Sequence, residues 1–228
     1  MKNKFSYILF AAALAMTSCK KDNYDGPTAG LSGNFVDVKT NELVEQDIIR
    51  GTTIEIIEHG YDPVTPQYLT VKTDGTYDNS LLFANTYTVN PVRGNFIATT
   101  PQDVDIKGQT KLDFTVTPYI RLKDVSITRN GAKVVATFKL EQNVPNNVKK
   151  IGLYAHQDSR VGEPMRQEAT EQQLNAVSDP NQVYTLEIDL PSHTSSLKPG
   201  NKYYFRVGAL IDVGEAKPNY AKAVVLDI

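Results

Sequence analysis

The chain has 228 residues, 40% of them hydrophobic and 22% charged, with 24 Lys+Arg against 26 Asp+Glu for a formal net charge of −2. That balance offers no electrostatic footprint for nucleic acid or for an anionic membrane surface. A single cysteine rules out an intramolecular disulfide and a zinc–thiolate site, so stability has to come from apolar cores.

The first local signal is at the N-terminus. Lys2 and Lys4 form a positive start, Phe5 to Ala15 an apolar run, and Met16-Thr17-Ser18-Cys19 a small-residue cleavage signal that ends in the one cysteine. The apolar run falls well short of the ~20 residues that span a bilayer. Residues 1–18 are therefore expected to be a lipoprotein signal peptide, with Cys19 lipidated and the membrane a partner through that anchor. More than one acyl chain at about 0.8 kcal/mol per buried methylene makes such anchoring stable. Residues 19–30, from Lys20-Lys21-Asp22 through Gly26-Pro27, carry no apolar periodicity and read as a tether.

Residues 31–118 show short β-branched or aromatic runs separated by turn formers: Leu31 to Val36, Thr53 to Glu58, Tyr68 to Lys72, Thr86 to Val89 and Leu112 to Thr117. Only β structure fits that rhythm. Thr53-Ile54-Glu55-Ile56-Ile57-Glu58 alternates in part, which puts its glutamates on a wet face. Asp74-Gly75 between extended segments reads as a hairpin turn.

Residues 119–228 repeat the pattern with strands expected at Lys123 to Thr128, Ala132 to Leu140, Lys150 to His156, Val183 to Leu190, Tyr203 to Ile211 and Ala221 to Asp227. Strands in that number over this length match an immunoglobulin-like sandwich. One interruption is expected. Arg166 to Val177 is rich in Gln, Glu and Ala, and reads as a loop with a short helix starting at Thr170-Glu171 and turning Leu174 and Val177 to one side.

Several motifs carry a family likeness. Gly33-Asn34-Phe35-Val36-Asp37, Thr40-Asn41-Glu42, Thr73-Asp74-Gly75-Thr76-Tyr77 and Leu82-Phe83-Ala84-Asn85-Thr86-Tyr87 resemble the scaffold of the carboxypeptidase-regulatory-like, transthyretin-type β-sandwich. Asn41 and Asn85 stand where that family has glycine. Leu197-Lys198-Pro199-Gly200-Asn201-Lys202-Tyr203-Tyr204 resembles the corner of a fibronectin type III-like module, where Tyr203 or Tyr204 bonds back to the turn. Together with Ser18-Cys19 and Asp113-Phe114-Thr115-Val116-Thr117-Pro118-Tyr119, the chain resembles a two-domain lipoprotein family of Bacteroidota, of unassigned activity, found beside SusC/SusD-type glycan uptake systems. The fold class implied is all-β, two consecutive β-sandwich domains after a signal peptide and tether. The resemblance further implies outer-membrane, surface-facing placement and SusC/SusD-like partners.

Chemistry is sparse. His59, His156 and His193 lie far apart, and the adjacency of Ser192 and His193 carries no information because triad members meet through the fold. No enzyme activity, cofactor or metal is expected. Asp74, Asp78 and Asn79 lack the alternating ligands and closing glutamate of a calcium loop. Non-catalytic glycan binding needs only aromatic faces with amide or carboxylate neighbours. Two segments offer them: Tyr61 and Tyr68 in the proline-stiffened loop from His59 to Tyr68, and Arg93, Asn95 and Phe96 in the segment from Asn90 to Phe96. The reading is a glycan-binding accessory with oligosaccharide as ligand. Its rival is a structural spacer or protein-docking module with no sugar binding of its own.

Overall fold

A computed structural model describes residues 25–228, and the chain forms two β-sandwich domains. The leader, Cys19 and the first part of the tether lie outside the described residues. Strand β1 (Ala29–Asp37) begins within the stretch read as tether, with Ala29 buried opposite Leu82.

The first domain continues with β2 (Thr53–Glu58), β3 (Gln67–Thr70), β4 (Thr76–Leu82), β5 (Asn85–Val92), β6 (Gln102–Ile106), β7 (Gln109–Lys111) and β8 (Phe114–Val116). One sheet runs β4-β1-β7 with β8 also on β1, and the other runs β3-β2-β5-β6. Phe35 sits centrally between them, its ring 5.1 Å from that of Phe96 and 5.0 Å from that of Phe114. Gly33 is required in β1 because a Cβ there would collide with the Leu112 carbonyl as the chain returns to pair with β1. The Asp74-Gly75 turn does reverse the chain, but the strands on either side of it, β3 and β4, belong to different sheets. Asp74 Oδ1 accepts from the Thr76 amide and hydroxyl, so its carboxylate is occupied by the turn.

The second domain contains β9 (Ile120–Asn130), β10 (Lys133–Gln142), β11 (Val148–His156), β12 (Glu168–Ala176), β13 (Tyr184–Asp189), β14 (Lys202–Ile211), β15 (Asn219–Tyr220) and β16 (Val224–Asp227). A β13-β10-β9 sheet packs on a β12-β11-β14 sheet, with β15 and β16 both on β14. Tyr203 is the corner tyrosine: it is buried and its hydroxyl accepts the Lys198 amide at 2.8 Å, while Tyr204 points the other way.

The expected helix within Arg166 to Val177 is not there. Glu168–Ala176 within it form β12, an edge strand antiparallel to β11. Helix propensity is a weak prior, and the open edge of β11 outweighs it. The polar composition that suggested a helix serves instead as a charged, poorly sticky sheet edge.

The domains meet through two polar clusters. In the first, Arg121 on β9 holds Asp37 at the end of β1 in a bidentate pair of 2.5 and 2.7 Å. Its remaining nitrogen bonds Glu141 at 2.8 Å, and Lys39 returns from the first domain to the same carboxylate. In the second, Arg206 on β14 is fully buried. It donates to Glu45 Oε2 at 2.6 Å and to the carbonyls of Gln46, Val161 and Ala221, with its guanidinium 4.4 Å from the Tyr220 ring centroid. Asn95 and Asn219 finish the seam: the Asn219 amide donates to the Asn95 carbonyl at 2.8 Å, and the Asn95 amide to the Glu45 carbonyl at 2.8 Å.

These clusters respond to acid differently. Burial raises the Asp37 carboxyl, but the Arg121 bonds and the Lys39 amide outweigh it and hold the group below its ordinary value. The Lys39 bond, against burial, likewise lowers Glu141. Burial dominates at Glu45 and raises it despite Arg206. A depressed carboxyl stabilises the fold above its unfolded value near ~4 and loses that contribution as the pH falls through its folded value. A raised one behaves oppositely. The melting temperature of the wild-type protein should therefore fall more steeply below about pH 5, as the pH drops through the unfolded value near ~4 towards the lower folded value, than that of Asp37→Asn. Parallel curves for the two proteins would show that the clamp does not titrate as described.

Candidate functional site

Two grooves flank the junction. One, of about 520 Å³, is lined by Asp37, Lys39, Arg121 and Glu141. Their charges are spent on one another, and the aromatic ring in that lining, Tyr220, is buried.

The other groove, of about 550 Å³, lies over the outward face of the β3-β2-β5 sheet and is closed on one side by Gly214 to Ala216 of the second domain. Strand register builds its floor. Tyr68 pairs with Glu55, and Glu55 with Asn90, so the three side chains form one row across β3, β2 and β5. Their inward neighbours Ile54, Ile56, Leu69 and Val89 fill the core, which fixes the row outward. Tyr68 keeps its ring exposed while its hydroxyl donates to Glu55 Oε2 at 2.8 Å, and that bond raises the phenol's pKa. Arg93, in a left-handed backbone conformation just after β5, reaches Glu215 across the groove mouth at 3.4 Å. The arrangement offers a flat apolar face with a carboxylate and an amide beside it, the combination that holds a sugar ring.

Of the residues singled out from the sequence, the groove gathers Tyr68 and Arg93. Tyr61 is exposed but sits in the β2–β3 loop, at the end of the domain away from Arg93. Asn95 and Phe96 do not present to a ligand. Asn95 is fully buried, spent on Glu45, Pro218 and Gln46, and Phe96 is buried against Phe35, lending only an edge to the groove lining. Sequence reasoning missed Glu215 and the roles of Glu55 and Asn90. The wet face of β2 was visible in its alternation, but which strands flank it is a non-local fact.

The histidines have separate local partners. His59 Nε2 bonds the Thr88 hydroxyl at 2.8 Å, His156 Nδ1 accepts the Asp158 amide at 2.8 Å, and His193 lies 3.1 Å from Glu168. Among the described residues no three His, Cys, Asp or Glu side chains gather as a metal site.

None of the curated proteins matches the chain. Residues 29–117 match the family model described as "Protein of unknown function (DUF3823) N-terminal domain", and residues 120–225 match "Domain of unknown function (DUF3823_C)". Among solved structures, the chain is similar to a candidate carbohydrate-binding protein from Bacteroides uniformis, at 36% identity and a TM-score of 0.81, over 89% of this chain and 100% of that one. It shares its fold with a DUF3823 family protein from Parabacteroides merdae, at 20% identity and a TM-score of 0.76 over 89% of this chain and 100% of that one. The same holds for a family member from Bacteroides ovatus, at 24% and 0.71 over 87% and 98%. With both domains matched in order and a relative above 30% identity covered along its whole length, this chain belongs to the two-domain DUF3823 family.

Proposed function

We propose that the protein is a non-enzymatic, lipid-anchored outer-membrane protein that holds oligosaccharide at the cell surface as an accessory of a SusC/SusD-type uptake system. The observation that carries the reading is the Tyr68–Glu55–Asn90 row in the junction groove. The carbohydrate-binding description of the 36% identical relative supports it. A neutral glycan suits the groove, since Arg93 and Glu215 at its mouth already face each other.

Screening the full chain on a glycan array, followed by calorimetry with the best ligand, tests the proposal. Tyr68→Ala should weaken binding about tenfold, the effect of truncating an exposed aromatic anchor at more than ~1 kcal/mol. Tyr61→Ala should leave affinity unchanged. Absence of binding to every glycan would remove the reading. It would favour the rival in which the rigid junction makes the protein a spacer that docks on a transporter pair, for which the buried Arg206 staple is the supporting observation.

A further inference from the structure

Four large apolar side chains stand exposed at one pole of the first domain: Tyr61 at 61%, Val64 at 50%, Leu81 at 72% and Phe83 at 51%. The β2–β3 loop that carries Tyr61 and Val64 lies beside the β4–β5 turn that carries Phe83, with Leu81 at the end of β4. His59 and Asn85 tie the end of β2 to the start of β5, with the Asn85 amide donating to Glu58 and to the His59 carbonyl at 3.0 Å each. The Tyr87 hydroxyl donates to the Phe83 carbonyl at 3.0 Å, and Tyr87 pairs with Glu58. Isolated exposed apolar residues need no explanation, but aromatic and aliphatic tips gathered on adjacent loops mark an interaction surface.

The described chain also begins at this pole. Ala29 pairs with Leu82, and the Gly30 amide donates to the Gly108 carbonyl at 2.7 Å. From there β1 runs the height of the domain, nine residues or about 27–30 Å, to the junction at Asp37. Only residues 20–28 separate Ala29 from Cys19, a span of at most ~35 Å when fully drawn out. A lipid on Cys19 therefore joins the bilayer to the domain at its apolar pole, where the chain enters, and not at the junction.

We infer that Tyr61, Val64, Leu81 and Phe83 form a membrane-docking tip that dips into the interfacial layer of the lipid bilayer to which Cys19 is anchored. The inference rests on lipidation of Cys19. Tyrosine and phenylalanine suit the bilayer interface, where an apolar ring meets a wet headgroup. The anchor also removes the cost of bringing the tip to the surface, because docking becomes intramolecular. Glu58 at the end of β2, Asp62 in the loop that follows, and Lys107 already paired with Asp105 at 2.7 Å give the pole no cationic excess, so a zwitterionic lipid surface suffices. Asn90 lies five residues along β5 from the pole, so docking lifts the glycan groove roughly 17 Å above it, clear of the headgroups.

The chain has no tryptophan, which makes a single one a clean reporter. Full-length lipoprotein carrying Phe83→Trp, and separately Val225→Trp on the second domain, is reconstituted on phosphatidylcholine vesicles with brominated acyl chains. Co-flotation with the vesicles reports the anchor, and bromine quenching reports the docking. With docking, Phe83→Trp is quenched about twofold, as for a ring ~5–10 Å below the headgroup boundary, while Val225→Trp is not. Adding Tyr61→Ser and Leu81→Ser should abolish the quenching. Protein that co-floats with the two reporters equally unquenched would overturn the docking tip while leaving the anchor intact. Failure to co-float would remove the anchor and the inference with it. Protection of Phe83→Trp only when outer-membrane proteins are added would assign the tip to a protein partner and overturn the bilayer.

Discussion

Arg206→Ala is expected to lower the unfolding free energy by about 3–5 kcal/mol, the cost of stripping one partner from a buried ion pair. Arg206 is fully buried and directs its donors at four acceptors, three of them backbone carbonyls on separate segments. Its removal leaves the Glu45 carboxylate facing a cavity, and the carbonyls of Gln46, Val161 and Ala221 lose a donor they cannot replace inside the seam. For a chain of this size the melting temperature should fall by on the order of 10 °C in a thermal scan. Arg206→Lys should recover little, because an ammonium cannot span the same planar fork of acceptors. Combining Arg206→Met with Glu45→Gln should be milder than either change alone, since both charges then leave together. Additive losses in that pair would show that the stability comes from packing against Tyr220 rather than from the ion pair.

That arginine also shows where sequence reading stops. Strands announced themselves locally: Thr53 to Glu58 was delimited to the residue, and the Lys198-Pro199-Gly200 corner pointed to two tyrosines of which Tyr203 proved to be the inward one. In Tyr203-Tyr204-Phe205-Arg206-Val207 alternation places Arg206 opposite the core of its own domain, and that outward face would ordinarily meet water. It meets the first domain instead, and nothing in the local pattern reveals a neighbour 160 residues away in the chain. The same gap explains the site. Tyr68 and Arg93 were visible as an aromatic and a cation on loop-flanked segments, but the register that sets Glu55 and Asn90 beside Tyr68 joins three strands. Asn95 and Phe96 looked like loop residues because their burial depends on Pro218 and Phe35, far away in sequence. At β12 the error ran the other way, when local propensity was strong and an unpartnered edge of β11 overruled it.

Phe35→Ala should cost about 3–5 kcal/mol in a denaturant titration, the range for emptying a buried aromatic position. Phe35 is fully buried and its ring contacts those of Phe96 and Phe114 at about 5 Å and Tyr77 at 6.0 Å, so the cavity opens among rings that cannot collapse into it. The effect should extend to binding. Phe96 rests on Phe35, lends an edge to the groove proposed to hold glycan and bridges to Pro118 at the entry to the second domain. Loosening it lets the segment carrying Arg93 shift relative to Tyr68, which sits on a different strand. Under conditions where the variant is still folded, glycan affinity should therefore fall in Phe35→Ala although the residue touches no ligand. Phe35→Leu, which keeps most of the volume, should cost less stability and retain binding. If Phe35→Ala is destabilised as expected but binds glycan like the wild type, the groove is held by the junction bonds of Asn95 rather than by the ring stack beneath it.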